Sequence, residues 1–400
     1  MSDLDLVIGD GAAATDTLDD RLLTILSDLI AIPTAYPPGD TTAICALVAP
    51  RLTALGYDVQ VIFEVDGLAN LVASIGEGAP RLLFNAHADT VGPGDSSKSV
   101  RDPFTAERRD GRVYGLGAVN CKGTMAVQLW LAEEIARRGG PARGQVTFTF
   151  VTDEECIGPH GTDFLRRAGH VKPDMLVVGA PTENAVITRE RGVIWVEITT
   201  TGRAAHAGEA HLGDNAILRM SRIVSALDAQ LAPRLERRRD GELRSTLNVD
   251  RIMGGHNTNV VPSHCTLEID RRLLISETVD GAFDEIRDLV HGLGEPPGSY
   301  QVRLLRGTNG YDAPRDGPLV SNLVAAIESQ TGEPVRFIDP VGAGDGRYFA
   351  DDGIEIVNFG PGDASEGHTA EESIDMAGMV ESAGIHLELV SRLVGLRDPA

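Results

Sequence analysis

Residues 82–90 read Leu-Leu-Phe-Asn-Ala-His-Ala-Asp-Thr, an apolar run that ends in a histidine and an aspartate. The run has the length of a buried strand, and polar residues follow where that strand would end. Imidazole is a common zinc ligand, and a nearby carboxylate can accept its second ring N–H. Because open α/β sheets place their sites at the carboxyl ends of strands, His87 and Asp89 are candidate site residues. Alone, a surface histidine beside an aspartate explains this pattern equally well.

Two further segments have the same polar character. Asp153, Glu154 and Glu155 directly follow the predicted strand over 145–152. A Gly-rich loop near residue 360 leads to His368. Adjacent carboxylates repel each other unless a cation or a shared proton stabilises them. One carboxylate can bind a metal ion while its neighbour acts as general base for a water. Taken singly, a solvated acidic turn and a loop histidine without a ligand role are the simpler readings.

Strands alternate with helices on both sides of these segments, which indicates an α/β architecture. The first part of the chain predicts helices over 17–33, 41–55, 122–138 and 161–168 and strands over 59–63, 69–73, 82–86, 145–152 and 175–179.

The order of elements changes near residue 192. The next part predicts a strand over 193–200, a helix over 215–231, strands over 247–252 and 265–273, a helix over 279–293 and a strand over 300–305. This β-α-β-β-α-β order is that of a split-βαβ unit, and an α/β pattern resumes with a helix over 318–330. The sequence therefore predicts a larger domain in two parts, 1–191 and 307–400, with a small domain inserted at 192–306.

Composition excludes several classes of partner. The formal charge of −23 over 400 residues argues against nucleic acid and anionic membranes as partners, since such surfaces need basic residues in excess. The acidic N-terminal 20 residues predict no signal peptide, and no apolar run is long enough to cross a bilayer. The four cysteines lack metal-binding or disulfide-framework spacing, which together with these features predicts a cytoplasmic protein.

The segments around His87, Glu154 and His368, in this order, resemble the metallohydrolase family of acetylornithine deacetylase, succinyl-diaminopimelate desuccinylase, aminoacylase and carboxypeptidase G. Further matching segments are 114–123, 179–182, 205–208, 254–262 and 345–347. The resemblance implies a mixed-sheet α/β catalytic domain with an inserted ferredoxin-like lid or dimerisation domain. It also implies a metal-dependent amidohydrolase, of deacylase, aminoacylase or peptidase type.

The resemblance assigns roles to individual residues. His87, Glu155 and His368 would be metal ligands, with Asp89 orienting His87. Glu154 would be the general base that activates water and then protonates the leaving amine.

The resemblance also implies substrate-binding residues. His206, in the inserted domain, would stabilise the oxyanion, often in the partner subunit's site, which implies a homodimer. Four residues occupy positions like those that the family uses to bind substrate carboxylates or to hold other site residues in place: Arg191, Asn259, Arg272 and Arg347. Guanidinium groups suit carboxylates, and structural salt bridges with Asp270 or Asp345 are the alternative explanation for these arginines.

Two positions depart from the family pattern. The family has an aspartate that bridges two metal ions where this chain has Asn120, and a glutamate where it has Ala180. A neutral amide brings no charge to offset the repulsion of two dications, and alanine offers no ligand. Three ligands and the Asn120 carbonyl oxygen can still make a mononuclear site. We therefore expect one ion per chain, zinc or alternatively cobalt or manganese.

The expected function is hydrolysis of an N-acyl amino acid or a small dipeptide-like amide. Two alternatives stay open. One is a metal-free hydrolase, or another enzyme using Glu154 and His206 as acid and base. The other is a non-catalytic protein that binds a carboxylate ligand through Arg272 and Arg347. The acyl group cannot be read from the sequence, because fold does not select among acyl groups.

Overall fold

The computed structural model describes residues 17–93, 101–340, 342–369 and 371–397. The sequence predicts no signal peptide in residues 1–20, and residues 1–16 of that segment lie outside the described residues. The described helices are α1 (Leu18–Ile30), α2 (Thr42–Ala54), α3 (Lys122–Arg137), α4 (Thr162–Arg167), α5 (Ala216–Ala226), α6 (Ala232–Glu236), α7 (Val279–Gly292), α8 (Pro318–Thr331) and α9 (Met376–Val394). None of them is long and apolar enough to span a membrane.

The strands of the first part of the chain are β1 (Ala35–Tyr36), β2 (Asp58–Phe63), β3 (Ala69–Glu77), β4 (Arg81–His87), β5 (Thr90–Val91), β6 (Glu107–Arg109), β7 (Arg112–Tyr114), β8 (Gly144–Val151), β9 (Met175–Val178) and β10 (Arg189–Glu190). Those that follow are β11 (Gly192–Thr201), β12 (Arg239–Asp240), β13 (Leu243–Arg244), β14 (Thr246–Gly254), β15 (His264–Leu273), β16 (Tyr300–Thr308), β17 (Tyr311–Asp312), β18 (Glu355–Asn358) and β19 (Ser373–Asp375).

The larger sheet has six strands in the order β18-β9-β4-β8-β3-β2. The strands from β18 to β8 are parallel, whereas β3 and β2 are antiparallel to their neighbours, so the sheet is mixed. Side chains of β4 alternate between two cores: Phe84 packs with α3 and α9, and Leu83 packs on the opposite face. Burial on both faces explains why this strand reads as a continuous apolar run.

The smaller sheet is antiparallel, with the strand order β14-β15-β11-β16. Strand β11 alternates: Ile194, Val196 and Ile198 pack against α5 and α7, while Trp195 and Glu197 face away from these helices. The chain order β11-α5-β14-β15-α7-β16 is the predicted split-βαβ order, and the mixed α/β fold with this inserted unit confirms the predicted fold class.

Strands β10 and β17 pair antiparallel where the chain enters and leaves the smaller sheet. Strand β16 runs to Thr308, two residues past the predicted boundary at 306. The division into three ranges stays a prediction. The predicted helix over 215–231 consists of α5 followed by a π-helical turn, Leu227–Leu231, so that its second half is wound differently from the first.

Candidate active site

The site lies at the carboxyl ends of β4 and β8. These strands are parallel, and their register places His87 opposite Val151. The next residues of both strands therefore leave the sheet at the same edge, which brings Asp89 close to Glu155. Asp89 is fully buried, and its Oδ2 accepts the Glu155 backbone N–H at 3.1 Å.

His87 is fixed by the residues that follow it. Its Nδ1 lies 2.9 Å from the Asp89 carbonyl oxygen and 3.6 Å from Asp89 Oδ1. A carbonyl oxygen only accepts, so Nδ1 carries a proton and Nε2 points into the site. Asp89 is thus placed where it was expected, although its main-chain oxygen makes the shorter contact. Its orienting role stays a prediction.

The turn after β8 carries the two glutamates. Asp153 has a left-handed φ of +68°, an uncommon conformation for a residue with a side chain. Its Oδ2 accepts the His160 backbone N–H at 3.0 Å, and its Oδ1 accepts the Cys156 thiol at 2.6 Å. Because Asp153 closes the turn with its own carboxylate, Glu154 and Glu155 are free to face the site.

Glu154 lies between a histidine and an arginine. Its Oε2 is 3.8 Å from His87 Nε2, and its Oε1 is 3.6 Å from Arg347 Nη1. Burial raises the pKa of the Glu154 carboxyl to about 8, with Asp345 and Glu155 adding to the shift and His87 and Arg347 opposing it. A carboxyl group with a pKa near neutrality can both accept and return a proton.

Arg347 is a support for this carboxylate. Its side chain is 0% exposed, and it donates to the carbonyl oxygens of Ala343 at 3.1 Å and Gly344 at 2.6 Å. Its Nη2 lies 4.0 Å from Asp345 Oδ1, the salt-bridge partner that the sequence offered as an alternative. This placement favours site support over binding of a substrate carboxylate.

Asn120 lies at the centre of the predicted ligands. Its Oδ1 is 3.2 Å from His87 Nε2, and its Nδ2 is 2.8 Å from Glu155 Oε1 and 2.9 Å from His368 Nε2. His368 Nε2 is also 3.1 Å from Glu155 Oε1. The structure therefore brings together all four side chains predicted as metal ligands.

These donors fit one metal ion. Ligand atoms 2.0–2.1 Å from a tetrahedral zinc ion lie about 3.3 Å apart, close to the 3.1 Å between His368 Nε2 and Glu155 Oε1. Potential ligand atoms of His87, Glu154 and Glu155 lie within 4.8 Å of one another. Ala180 offers no ligand, and the Asn120 amide directs its NH₂ group at Glu155 and His368. The side chains can therefore hold a metal ion.

Sequence reasoning missed Glu372. This buried carboxylate accepts the backbone N–H groups of Gly117 at 3.1 Å, Val119 at 2.8 Å and Asn120 at 2.9 Å. Burial raises its pKa, and the three N–H groups oppose that shift. Glu372 fixes the backbone that carries Asn120. Its position four residues after His368 was the available signal, but a Glu371-Glu372 pair reads as solvated surface.

The remaining candidates lie on the inserted unit. His206 is exposed, its Nδ1 accepts the Gly208 N–H at 3.1 Å, and it forms a β-bridge with Val260. The exposed Asn259 lies beside it, since its carbonyl oxygen accepts the Ala207 N–H at 2.9 Å. These contacts are local to the inserted unit, and those described for His206 do not include the residues around Asn120.

Arg191 and Arg272 lie close together at the start of β11 and the end of β15. Arg272 Nε donates to Asp270 Oδ1 at 2.8 Å, as the salt-bridge alternative predicted. Arg191 Nη1 donates to the Arg244 carbonyl oxygen at 3.0 Å. Burial lowers the pKa of Arg191, and the neighbouring Arg272 lowers it further. Two carboxylates, Asp270 and Glu190, oppose this shift.

Comparison with known proteins gives the chain a family. Residues 83–392 match peptidase family M20/M25/M40. Succinyl-diaminopimelate desuccinylase from Bordetella petrii is 30% identical over 390 residues, covering 94% of this chain and 99% of that protein.

Solved structures share the fold. An M20 family metallo-carboxypeptidase from Sulfolobus solfataricus has a TM-score of 0.77 at 18% identity, covering 94% of this chain and 99% of that chain. A dinuclear metal-binding M20 peptidase from Bacillus subtilis has a TM-score of 0.69 at 16% identity, with coverage of 94% and 99%. The chain belongs to peptidase family M20/M25/M40 and is a hydrolase of amide or peptide bonds.

Proposed function

We propose that the chain hydrolyses the amide bond of an N-acyl amino acid or a small dipeptide-like substrate, using Glu154 and a single metal ion. The observation that carries the proposal is the convergence of His87, Asn120, Glu155 and His368 around the Asn120 amide, with Glu154 beside them.

Glu154 is the proposed general base. Its carboxylate lies beside the ligand cluster and is held by the Arg347 guanidinium at 3.6 Å, so its orientation does not depend on solvent. It would take a proton from the attacking water and return it to the leaving amine. The positive charge of Arg347 favours the ionised form of Glu154, and so it opposes the rise in the Glu154 pKa that burial causes.

The ion would be held by His87, Glu155 and His368, with the Asn120 carbonyl oxygen as a further ligand once the amide turns. When bound, it would supply Lewis-acid polarisation of water and of the amide carbonyl. Two histidines and a carboxylate are ligands that zinc accepts, and cobalt or manganese are the alternatives.

The substrate would carry a carboxylate near the bond that is cleaved. The guanidinium groups of Arg191, just before the inserted unit, and of Arg272, within it, suit a carboxylate, and Asn259 provides an exposed amide. The relative from Bordetella petrii is named for removal of succinyl from succinyl-diaminopimelate, a substrate rich in carboxylates. This compound is therefore the first substrate to test.

A homodimer is part of the proposal. His206 is exposed on the inserted unit, where a second copy of the chain can receive it, and an oxyanion would accept a hydrogen bond from its ring. A cytoplasmic location likewise stays a prediction.

The test is metal analysis of the native protein paired with a hydrolysis panel. The panel contains succinyl-diaminopimelate, N-acetyl and N-succinyl amino acids and simple dipeptides. We expect about one transition metal ion per chain, as in mononuclear catalytic sites, and activity that chelation removes and zinc, cobalt or manganese restores. Two tightly bound ions per chain would contradict the single-ion proposal, and a protein that cleaves nothing in the panel would contradict the substrate class.

A metal-free hydrolase is the second candidate, and the Asn120 contacts favour it. One amide connects His87, Glu155 and His368 through contacts of 2.8–3.2 Å, so hydrogen bonds to Asn120 can bring these side chains together. This candidate predicts activity in protein that contains no transition metal and that survives exhaustive chelation.

A further inference from the structure

A row of four side chains crosses the outer face of the inserted sheet: Arg272, Asp270, Trp195 and Arg306, here called the sheet-face row. Trp195 on β11 lies opposite Asp270 on β15 and Arg306 on β16. Arg272 is two residues after Asp270 and so shares its face. The row lies on the face away from α5 and α7, because Ile194 points into the core between sheet and helices.

Each member of the row contacts the next. Asp270 is shared, since its Oδ1 accepts Arg272 Nε and its Oδ2 accepts Trp195 Nε1, both at 2.8 Å. The Arg306 guanidinium carbon lies 5.8 Å from the centroid of the Trp195 ring, within the range of a cation–π interaction. The row is therefore continuous from Arg272 to Arg306.

The row ends at the turn that carries the glutamates. Arg306 Nη1 donates to the Cys156 carbonyl oxygen at 2.6 Å, and Cys156 directly follows Glu155. The inserted sheet thus contacts the backbone of this turn with a charged hydrogen bond, which is stronger than a neutral one.

This turn needs external support. Asp153 and Ile157 both have left-handed φ values, +68° and +51°. Non-glycine residues keep such conformations only where the surrounding structure holds them. A β-carbon on Gly158 would lie 1.7 Å from Asp153 Oδ2, so the turn is also tightly closed on itself. Arg306 reaches this turn from the inserted unit.

We propose that Trp195 and Arg306 are positioning residues for Glu154 and Glu155. In the same row, Asp270 fixes the orientation of Arg272, the residue proposed to bind the substrate carboxylate. The row then fixes the spacing between the substrate carboxylate and the amide bond that is cleaved. The spacing rests on the proposed function, whereas the support of the turn does not.

The experiment compares Arg306→Met, Arg306→Lys and Trp195→Phe with the matched control Arg303→Met. Arg303 lies on the same strand and pairs with Glu197 of β11 at 3.0 Å, but its side chain is 57% exposed. Trp195→Phe keeps an aromatic ring, but it removes the N–H that binds Asp270 and leaves a smaller ring beneath Arg306. Arg306→Lys keeps the charge and restores part of the contact.

The first measurement is hydrogen exchange of the peptide containing residues 153–158, which requires no substrate. We expect exchange there to be at least about tenfold faster in Arg306→Met and Trp195→Phe, with exchange elsewhere and thermal midpoints as in the control. Wild-type exchange in both variants, or faster exchange spread over the whole chain, would overturn the proposal.

The second measurement is steady-state kinetics with a panel substrate that the wild type cleaves, taking succinyl-diaminopimelate first. A misplacement of about 1 Å can cost about 100-fold in rate. We expect kcat of Arg306→Met to fall about 10- to 100-fold with KM nearly unchanged, partial recovery in Arg306→Lys and no change in Arg303→Met. Unchanged kcat in Arg306→Met would overturn the proposal. If the wild type cleaves no panel member, the proposed function fails, and the exchange result alone decides whether the row supports the turn.

Discussion

Asn120 has no charge, yet its side chain contacts three groups that metal ions prefer as ligands. The amide can do so because it offers an acceptor to His87 and a donor to Glu155 at the same time. An aspartate in the same place would face Glu155 with like charge and would need a cation to offset the repulsion. We therefore expect the residue at position 120, together with the one at position 180, to influence how many ions the site holds.

Restoring two carboxylates should restore a second ion. We expect the double variant Asn120→Asp, Ala180→Glu to bind about two transition metal ions per chain against about one in the wild type, since each added carboxylate offers charge and a ligand oxygen. Elemental analysis after dialysis measures this. The thermal midpoint of the double variant should also depend more steeply on zinc concentration than that of the wild type. Asn120→Asp, Ala180→Gln is the control, and equal metal content in all three proteins would count against our reading of these positions.

Glu154→Gln should abolish most turnover while preserving binding. The amide keeps the shape of the side chain but cannot accept a proton from water, and general acid–base catalysis contributes about 10²- to 10⁴-fold. We expect kcat to fall by that factor with little change in KM or metal content. The matched control is Glu64→Gln, because Glu64 also contacts a histidine, His160, but lies on the surface. Turnover within a few-fold of wild type in Glu154→Gln would exclude this residue as the base.

At the scale of elements, the strands of the two main sheets were mostly predictable, including the four-residue β9, and the two- and three-residue strands were not. Strand β4 is buried on both faces and reads as an apolar run, whereas β8 alternates Val146, Phe148 and Phe150 with polar residues. Both patterns locate the strand ends and the site residues that follow. Pairs such as β6–β7 have three residues per strand and carry no periodicity. Glu372 and Arg306 were missed for a related reason: they act on backbone groups distant in sequence, and no local pattern marks such contacts.

A buried histidine in helix α9, His386, is expected to make the free energy of unfolding depend on pH. His386 is fully buried between Phe84 and Phe359, and its Nδ1 donates to the Ser382 carbonyl oxygen at 2.7 Å. Burial lowers the pKa of its imidazole to about 4. The unfolded chain, with an ordinary pKa near 6.5, therefore takes up this proton more readily than the folded chain does.

The sign follows from linkage. Above about pH 6.5, His386 is neutral in both the folded and the unfolded chain, so it does not reduce the free energy of unfolding. As the pH falls from about 6.5 towards 4, the unfolded chain takes up the proton first, and the free energy of unfolding decreases. We expect His386 to account for a loss of about 2 kcal/mol in the free energy of unfolding between pH 7.5 and 5. Urea titrations at both pH values measure it, with His386→Leu as comparison. Equal pH dependence in both proteins would show that His386 does not contribute.

At the scale of the whole molecule, the described residues form separate cores: two lie on the faces of the larger sheet and a third lies in the inserted unit. Glu154, Glu155 and the Asn120 cluster belong to the larger sheet, while His206 is exposed on the smaller unit and contacts its own loop. A histidine placed in this way serves a distant site most directly if it belongs to a second subunit. In a symmetric dimer, each site would then combine residues of both chains.

Heterodimers of two inactive variants test this arrangement. His206→Ala and Glu154→Gln chains, coexpressed with different tags, give heterodimers that two affinity steps separate from homodimers. If His206 acts in the partner's site, one site of each heterodimer lacks both groups and the other has both. We therefore expect about half of the wild-type activity per dimer, although each homodimer is nearly inactive. If His206 acts within its own chain, each site lacks one group and the heterodimer stays as inactive as the homodimers. A chain that elutes as a monomer at assay concentration would exclude the arrangement altogether.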